Sequence, residues 1–253
     1  MLVAHVLASL TRPLGHGISD GWLTAAFPGL RPDALPAVRQ RTWENFLKGE
    51  ALDAAVRRGG GTRDYPRATP NRALNELPPR VVVASFHIGP FQAVGAFLDT
   101  LPAARVTVAR EQYEPRPDMT LLHRGEDEWQ RARTFGRALA ELRSGRPVIV
   151  NVDGLPTGDH PMPAIEVPML GRSMPFARGA FALARLGRAP IVPVASRWRG
   201  TAMEVTVGEP IAPDRGEAPA AAALAAWLEG YLVESPGEVS VFLLERLSPP
   251  LPR

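Results

Sequence analysis

The stretch Arg80 to Gln92, Arg-Val-Val-Val-Ala-Ser-Phe-His-Ile-Gly-Pro-Phe-Gln, limits what this chain can fold into more than any other. Val81, Val82, Val83 and Ala84 form a short apolar, largely β-branched run with no polar alternation. That is the pattern of a strand buried on both faces. The run stops at Ser85-Phe86-His87, Gly89-Pro90 marks a turn, and Phe91 opens a helix. Proline suits such a first turn, because its missing N–H would have had no partner there. A titratable imidazole is thereby set at the carboxyl end of a buried strand, beside a helix N-terminus. Open α/β sheets gather their ligands at that edge.

The rest of the chain repeats the alternation of strand and helix. Pro36 to Arg57 reads as a helix, with Val38, Trp43, Leu47, Leu52 and Val56 four or five apart, and a polar loop follows it. Arg105 to Arg110 is a second strand and Met119 to Leu142 a helix, ended by Ser144-Gly145. Pro147 to Val152 is a third strand and stops at Asp153. A short apolar segment covers Ile165 to Leu170, and Phe176 to Leu186 is a helix. Ala189 to Ala195 is a fourth strand, and Ala202 to Val207 alternates like a hairpin partner or edge strand. Ala218 to Val233 is an Ala-rich helix and Val239 to Leu244 a last strand. The pattern predicts one α/β domain over 1–253, a three-layer sandwich around a central mixed, largely parallel sheet. Residues 1–79 form a small helical N-terminal region and 80–247 the core.

Composition excludes several classes of function. No cysteine is present, so disulfides, cysteine-ligated metals and a cysteine nucleophile are ruled out. His5, His16, His87, His123 and His160 lack metal-ligand spacing, and no metal is expected. No Gly-x-Ser-x-Gly elbow appears, nor a Walker A or Gly-x-Gly-x-x-Gly loop. A formal charge of only +3 is no nucleic-acid signature, and no nucleic-acid partner is expected. Lys48 is the single lysine, so 28 of the 29 basic residues are arginine, which reads either as a composition bias or as a choice of the planar fork that binds anions bidentately. No run approaches the ~20 apolar residues that span a bilayer, and the reading is cytoplasmic. Met1 to Leu10, short and apolar, suits either a membrane surface, as a peripheral contact, or an apolar groove. What remains for chemistry is His87, Arg110 and Asp153, each at a strand end and so on one rim of a parallel sheet; the alternative is a half-buried loop histidine beside an ordinary Arg110–Asp153 ion pair.

These residues carry a resemblance. Phe86-His-Ile-Gly-Pro-Phe-Gln92 resembles the His-x-x-x-x-Glu/Asp block of glycerolipid (lysophospholipid) acyltransferases. Its pattern is closest to the bacterial lipid A secondary (lauroyl/myristoyl) branch. Val106 to Pro115, with Arg110, is similar to that branch's second strand and arginine, and Leu122-His-Arg124 to the arginine that follows. Leu142-Arg-Ser-Gly-Arg-Pro-Val-Ile-Val-Asn-Val-Asp153 resembles its Gly-x-x-Val-x-x-x-x-Asp segment. Ile165-Glu-Val-Pro-Met-Leu-Gly171, Phe176 to Pro193, and Ala226-Trp-Leu with Glu234-Ser-Pro-Gly-Glu continue the match in colinear order over residues 36–247.

The resemblance implies an acyltransferase that uses an acyl thioester, on coenzyme A or an acyl carrier protein, and no other cofactor. It makes His87 the general base on a hydroxyl or amine acceptor that attacks the thioester directly. An imidazole titrates near neutral pH, which matches that task. Arg110 and Arg124 would grip phosphate bidentately. Phe86, Phe91, Phe97 and Met169 are candidates to line an acyl groove. The family's Glu is Gln92 here, and an amide cannot stabilise an imidazolium by charge. Another acid is therefore expected at the site, Asp153 first and Glu111 second. The lipid A branch's N-terminal anchor is missing, and its late Trp-x-His-x-Arg strand reads Phe242-Leu-Leu-Glu-Arg246. Both point to a specialised acceptor, small molecule or lipid, rather than bulk lipid A. Two alternatives stand beside transfer: thioester hydrolysis or another biosynthetic reaction on the same fold, and a catalytically silent partner subunit.

Overall fold

A computed structural model describes residues 18–55, 68–71, 77–90, 105–109, 119–123, 127–153, 163–240 and 243–244. The chain is an α/β protein built on a mixed, mostly parallel sheet. Its strands are β1 (Ala68–Pro70), β2 (Val82–Ser85), β3 (Arg105–Ala109), β4 (Met119–His123), β5 (Val148–Asn151), β8 (Ile191–Arg199) and β9 (Ala202–Val207). They lie in the order β1-β9-β8-β2-β5-β3-β4. The five strands β8, β2, β5, β3 and β4 are parallel to one another, whereas β9 runs against β8 and carries β1 alongside it. β2 is central, and all four of its residues are buried. Val82 and Ala84 point to one side, and Val81 and Val83 to the other.

The first of those sides is covered by helices. α3 (Glu128–Arg143), α4 (Arg178–Gly187) and α5 (Glu217–Glu234) contribute Ala138, Leu142, Phe181, Leu183, Leu224 and Leu228 to the same apolar cluster as Val82, Ala84 and Val148. The Asp127 carboxylate accepts the Gln130 N–H at 2.6 Å and so satisfies one orphan donor at the start of α3. A separate hairpin, β6 (Ala164–Met169) with β7 (Arg172–Ala177), packs on α5. Its two-residue turn, Leu170-Gly171, has φ of 51° and 72° at the two positions, as a type I′ turn requires. In the N-terminal region, α1 (Asp20–Ala26) starts on a Ser19 cap and α2 (Leu35–Ala55) is the longest helix among the described residues. None of the described helices is long and apolar enough to cross a membrane.

Several boundaries differ from the sequence reading. Met119–His123, expected as the start of a helix, is strand β4, paired in register with β3 from Arg105↔Met119 to Ala109↔His123. Five mostly apolar residues fit either period, and the open edge of β3 decided. Phe176 belongs to β7, and the helix begins at Arg178. Of the strand expected over Val239–Leu244, the described residues 239–240 and 243–244 are not strand, and the Ser240 hydroxyl and carbonyl accept the N–H groups of Leu243 and Leu244; the remainder lies outside the described residues. Ala68–Pro70, read as loop, pairs with β9, so β9 is an interior strand. The helix expected from Phe91 lies outside the described residues.

Candidate functional site

Strand register assembles the site. β2 and β5 are parallel neighbours in which Ser85 is level with Asn151 and the Val152 N–H bonds the Ser85 carbonyl. Side chains alternate along a strand, so residues two apart share a face. Phe86, Ile88 and Val152 turn into the helix-covered core. Ser85 and His87 on one strand, and Asn151 and Asp153 on the next, take the opposite side.

Those four side chains form one chain of hydrogen bonds. Asp153 Oδ2 accepts the main-chain N–H of His87 at 2.8 Å, and Oδ1 lies 3.0 Å from His87 Nδ1. An ionised carboxylate only accepts, so Nδ1 carries hydrogen and the lone pair is left on Nε2. Asn151 Nδ2 sits 3.2 Å from Nε2 and donates to that lone pair, while Asn151 Oδ1 accepts the Ser85 hydroxyl at 2.5 Å. The Asp153 side chain has no exposure, whereas the imidazole is 31% exposed. The charge is thus desolvated and paired, and the ring is reachable from solvent.

The turn that presents His87 is pressed against β8. Gly89 has φ of 51° and donates its N–H to the Glu238 carbonyl at 2.8 Å. The Ser196 hydroxyl donates to the Pro90 carbonyl at 2.8 Å. A Cβ on Gly89 would stand 2.0 Å from the Ser196 carbonyl oxygen, so no other residue fits without moving the turn.

The arrangement can take up a proton. An imidazole that gains hydrogen at Nε2 becomes a cation against the buried Asp153 carboxylate, and its Nδ1–H already points at that carboxylate. Nε2–H would then need an acceptor. Rotating the Asn151 amide by half a turn presents Oδ1 there, and the Ser85 hydroxyl, a free rotor, can follow by accepting instead of donating.

Of the residues named from the sequence, the structure brings His87 and Asp153 into contact. Asp153 was the first choice to replace the missing motif acid. Phe86 and Met169, expected along a groove, are each 1% exposed and belong to the core. The Phe86 ring stacks on Trp227 with centroids 6.1 Å apart and lies 6.3 Å from Phe176, so these side chains fill an interior rather than wall an opening. Phe91, Gln92, Phe97, Arg110, Glu111 and Arg124 lie outside the described residues. Ser85 and Asn151 were not picked out beforehand. A signal was present: each ends an apolar run, Val-Val-Ala-Ser and Val-Ile-Val-Asn, two residues before His87 and Asp153. Among the described residues no group of three or more His, Asp or Glu gathers as a metal site.

Neither the protein-family models nor the curated proteins contain a match to this sequence.

Proposed function

We propose that this chain is an acyltransferase of the glycerolipid-acyltransferase kind, a three-layer α/β sandwich that moves an acyl group from a thioester to a hydroxyl or amine acceptor. The observation that carries the reading is the reachable His87 imidazole with its Nδ1 on the desolvated Asp153, at the carboxyl edge of a parallel sheet. Nε2 takes the acceptor's proton as its oxygen or nitrogen attacks the thioester carbonyl. The tetrahedral centre collapses, the carbon–sulfur bond breaks, and the imidazolium returns the proton to the leaving thiolate. Asp153 holds the tautomer and stabilises the transient cation. The acceptor displaces the Asn151 amide from Nε2, and at 3.2 Å that bond is long enough to give up readily. With Asp153 in this place, an amide at Gln92 no longer counts against a working base. The colinear resemblance over residues 36–247 supports the donor class, coenzyme A or an acyl carrier protein, and a cytoplasmic setting.

The test is to incubate the protein with acyl-coenzyme A and acyl-carrier-protein donors and a panel of hydroxyl and amine acceptors. Thiol release and acylated product are followed together. Transfer is expected, and in Asp153→Asn it should fall about 10⁴-fold, as in the serine-protease acid-to-amide change behind a catalytic histidine. Thiol release without acylated product would replace transfer by hydrolysis. No release from any donor, unchanged in His87→Ala, would leave a silent subunit and overturn the reading.

A further inference from the structure

We propose that Glu238 is a positioning residue for His87, bracing the imidazole's turn against the end of β8. The inference deepens the proposed function and rests on His87 being the base. The main-chain carbonyl of Glu238 accepts the Gly89 N–H at 2.8 Å, two residues from the imidazole. That carbonyl belongs to the short 3₁₀ turn Pro236–Glu238, which three sets of contacts hold in place. Asn45 Nδ2 donates to the Gly237 carbonyl at 2.8 Å. Gly237 is packed so closely on Arg41 that a Cβ there would meet its side-chain carbons at 2.4 Å. The Glu238 carboxyl, 4% exposed, takes the Trp198 N–H at 3.4 Å and lies 3.6 Å from Arg41, which itself donates to the Trp198 carbonyl at 2.7 Å.

Glu238 therefore ties α2 and the end of β8 to the loop that carries His87. Burying a carboxyl is costly, and burial pushes this one above the ordinary glutamate range against the pull of Arg41. The other charged or titratable groups around it are Lys48, whose Nζ lies 5.2 Å from the Trp198 ring, Arg197 and Tyr231. None of these contacts reaches His87 itself. Glu238 touches the turn at Gly89, whose N–H its carbonyl accepts and where a Cβ would stand 3.1 Å from its carboxyl, so it acts on the imidazole by holding the turn still.

The test follows the His87 Nδ1–H proton in histidine-labelled protein by NMR, a signal that needs no substrate and is assigned by its loss in His87→Ala. In wild type the hydrogen bond to Asp153 should shift it downfield and slow its exchange. Glu238→Ala should broaden or abolish it in a chain that still melts cooperatively, while Glu238→Gln, which keeps the shape and most of the bonds, should restore it. Transfer should fall roughly 10–100-fold in kcat with KM unchanged, as expected when a base is misplaced by about 1 Å. Gly89→Ala, whose methyl would stand 2.0 Å from the Ser196 carbonyl oxygen and 3.1 Å from the Glu238 carboxyl, parts the turn from its brace and should reproduce the Glu238→Ala pattern, and decides the matter if Glu238→Ala does not fold. A sharp, slowly exchanging Nδ1–H in folded Glu238→Ala or Gly89→Ala would overturn the proposal. A signal that responds as expected in a protein that transfers no acyl group would uphold the brace and sink the acyltransferase reading.

Discussion

The two sides of β2 and β5 are opposite in character although one backbone supplies both. Toward the helices, Phe86, Ile88 and Val152 are essentially dry and belong to one apolar cluster, in which the Phe86 ring meets Phe176 and Trp227. Toward the other side, one residue out of step, Ser85, Asn151, His87 and Asp153 form a continuous polar chain. The packed core and the polar chain thus occupy alternate positions of the same strand ends. The buried row makes the polar row rigid, because a side chain clamped in the core fixes the pleat from which its neighbours project.

Substitutions one residue apart should therefore fail in different ways. The largest effect on folding is expected from Phe86→Ala, which removes a ring from a full core and should cost about 3–5 kcal/mol. A denaturant titration would show it, and the molecules still folded should keep the Nδ1–H signal. If that signal vanished at once, the two sides would not be separable. Next is Ser85→Ala, which leaves the Asn151 oxygen without its donor. It should cost about 1 kcal/mol in the same titration, and its effect on thiol release should exceed that of Ile88→Val, a core change three residues on.

The smallest effect contrasts Asp153 with an acid near the surface. Arg197 and Arg199 bond Glu204 and hold its carboxyl down at about 2. A folded value below the unfolded one means that the fold is favoured above about pH 4.3, the ordinary glutamate range, and loses that contribution as pH falls toward 2. Wild type should exceed Glu204→Gln by about 0.2–1 kcal/mol per pair at pH 7, as exposed pairs do. The gap should narrow in denaturant titrations between pH 4.3 and 3. A gap that stayed constant would mean packing, not charge, holds that corner.

Much of the architecture was legible because the buried strands announce themselves. Val82–Ser85, Val148–Asn151 and Ile191–Arg199 begin within two residues of the expected starts, since unbroken β-branched runs have few other uses. Met119–His123 was misread because a five-residue run carries too little periodicity to separate strand from helix. Ala68–Pro70 was missed because three residues become a strand only when β9 offers them an edge. His87 and Asp153 stood out as titratable groups at strand ends, whereas Ser85 and Asn151 look like ordinary strand-terminating polar residues until a partner is placed beside them.

By itself the sequence determined that Val82–Ser85, Val148–Asn151 and the start of β8 are buried strands, and that an imidazole and a carboxylate stand just past the ends of the first two. These are local properties, set by side-chain shape, polarity and the preferences of glycine and proline. Only the tertiary structure decided that β2 lies directly against β5 in the register pairing Ser85 with Asn151. Adjacency in a sheet depends on which edges meet, and a shift of one residue would have turned Asp153 away from His87 and into the core.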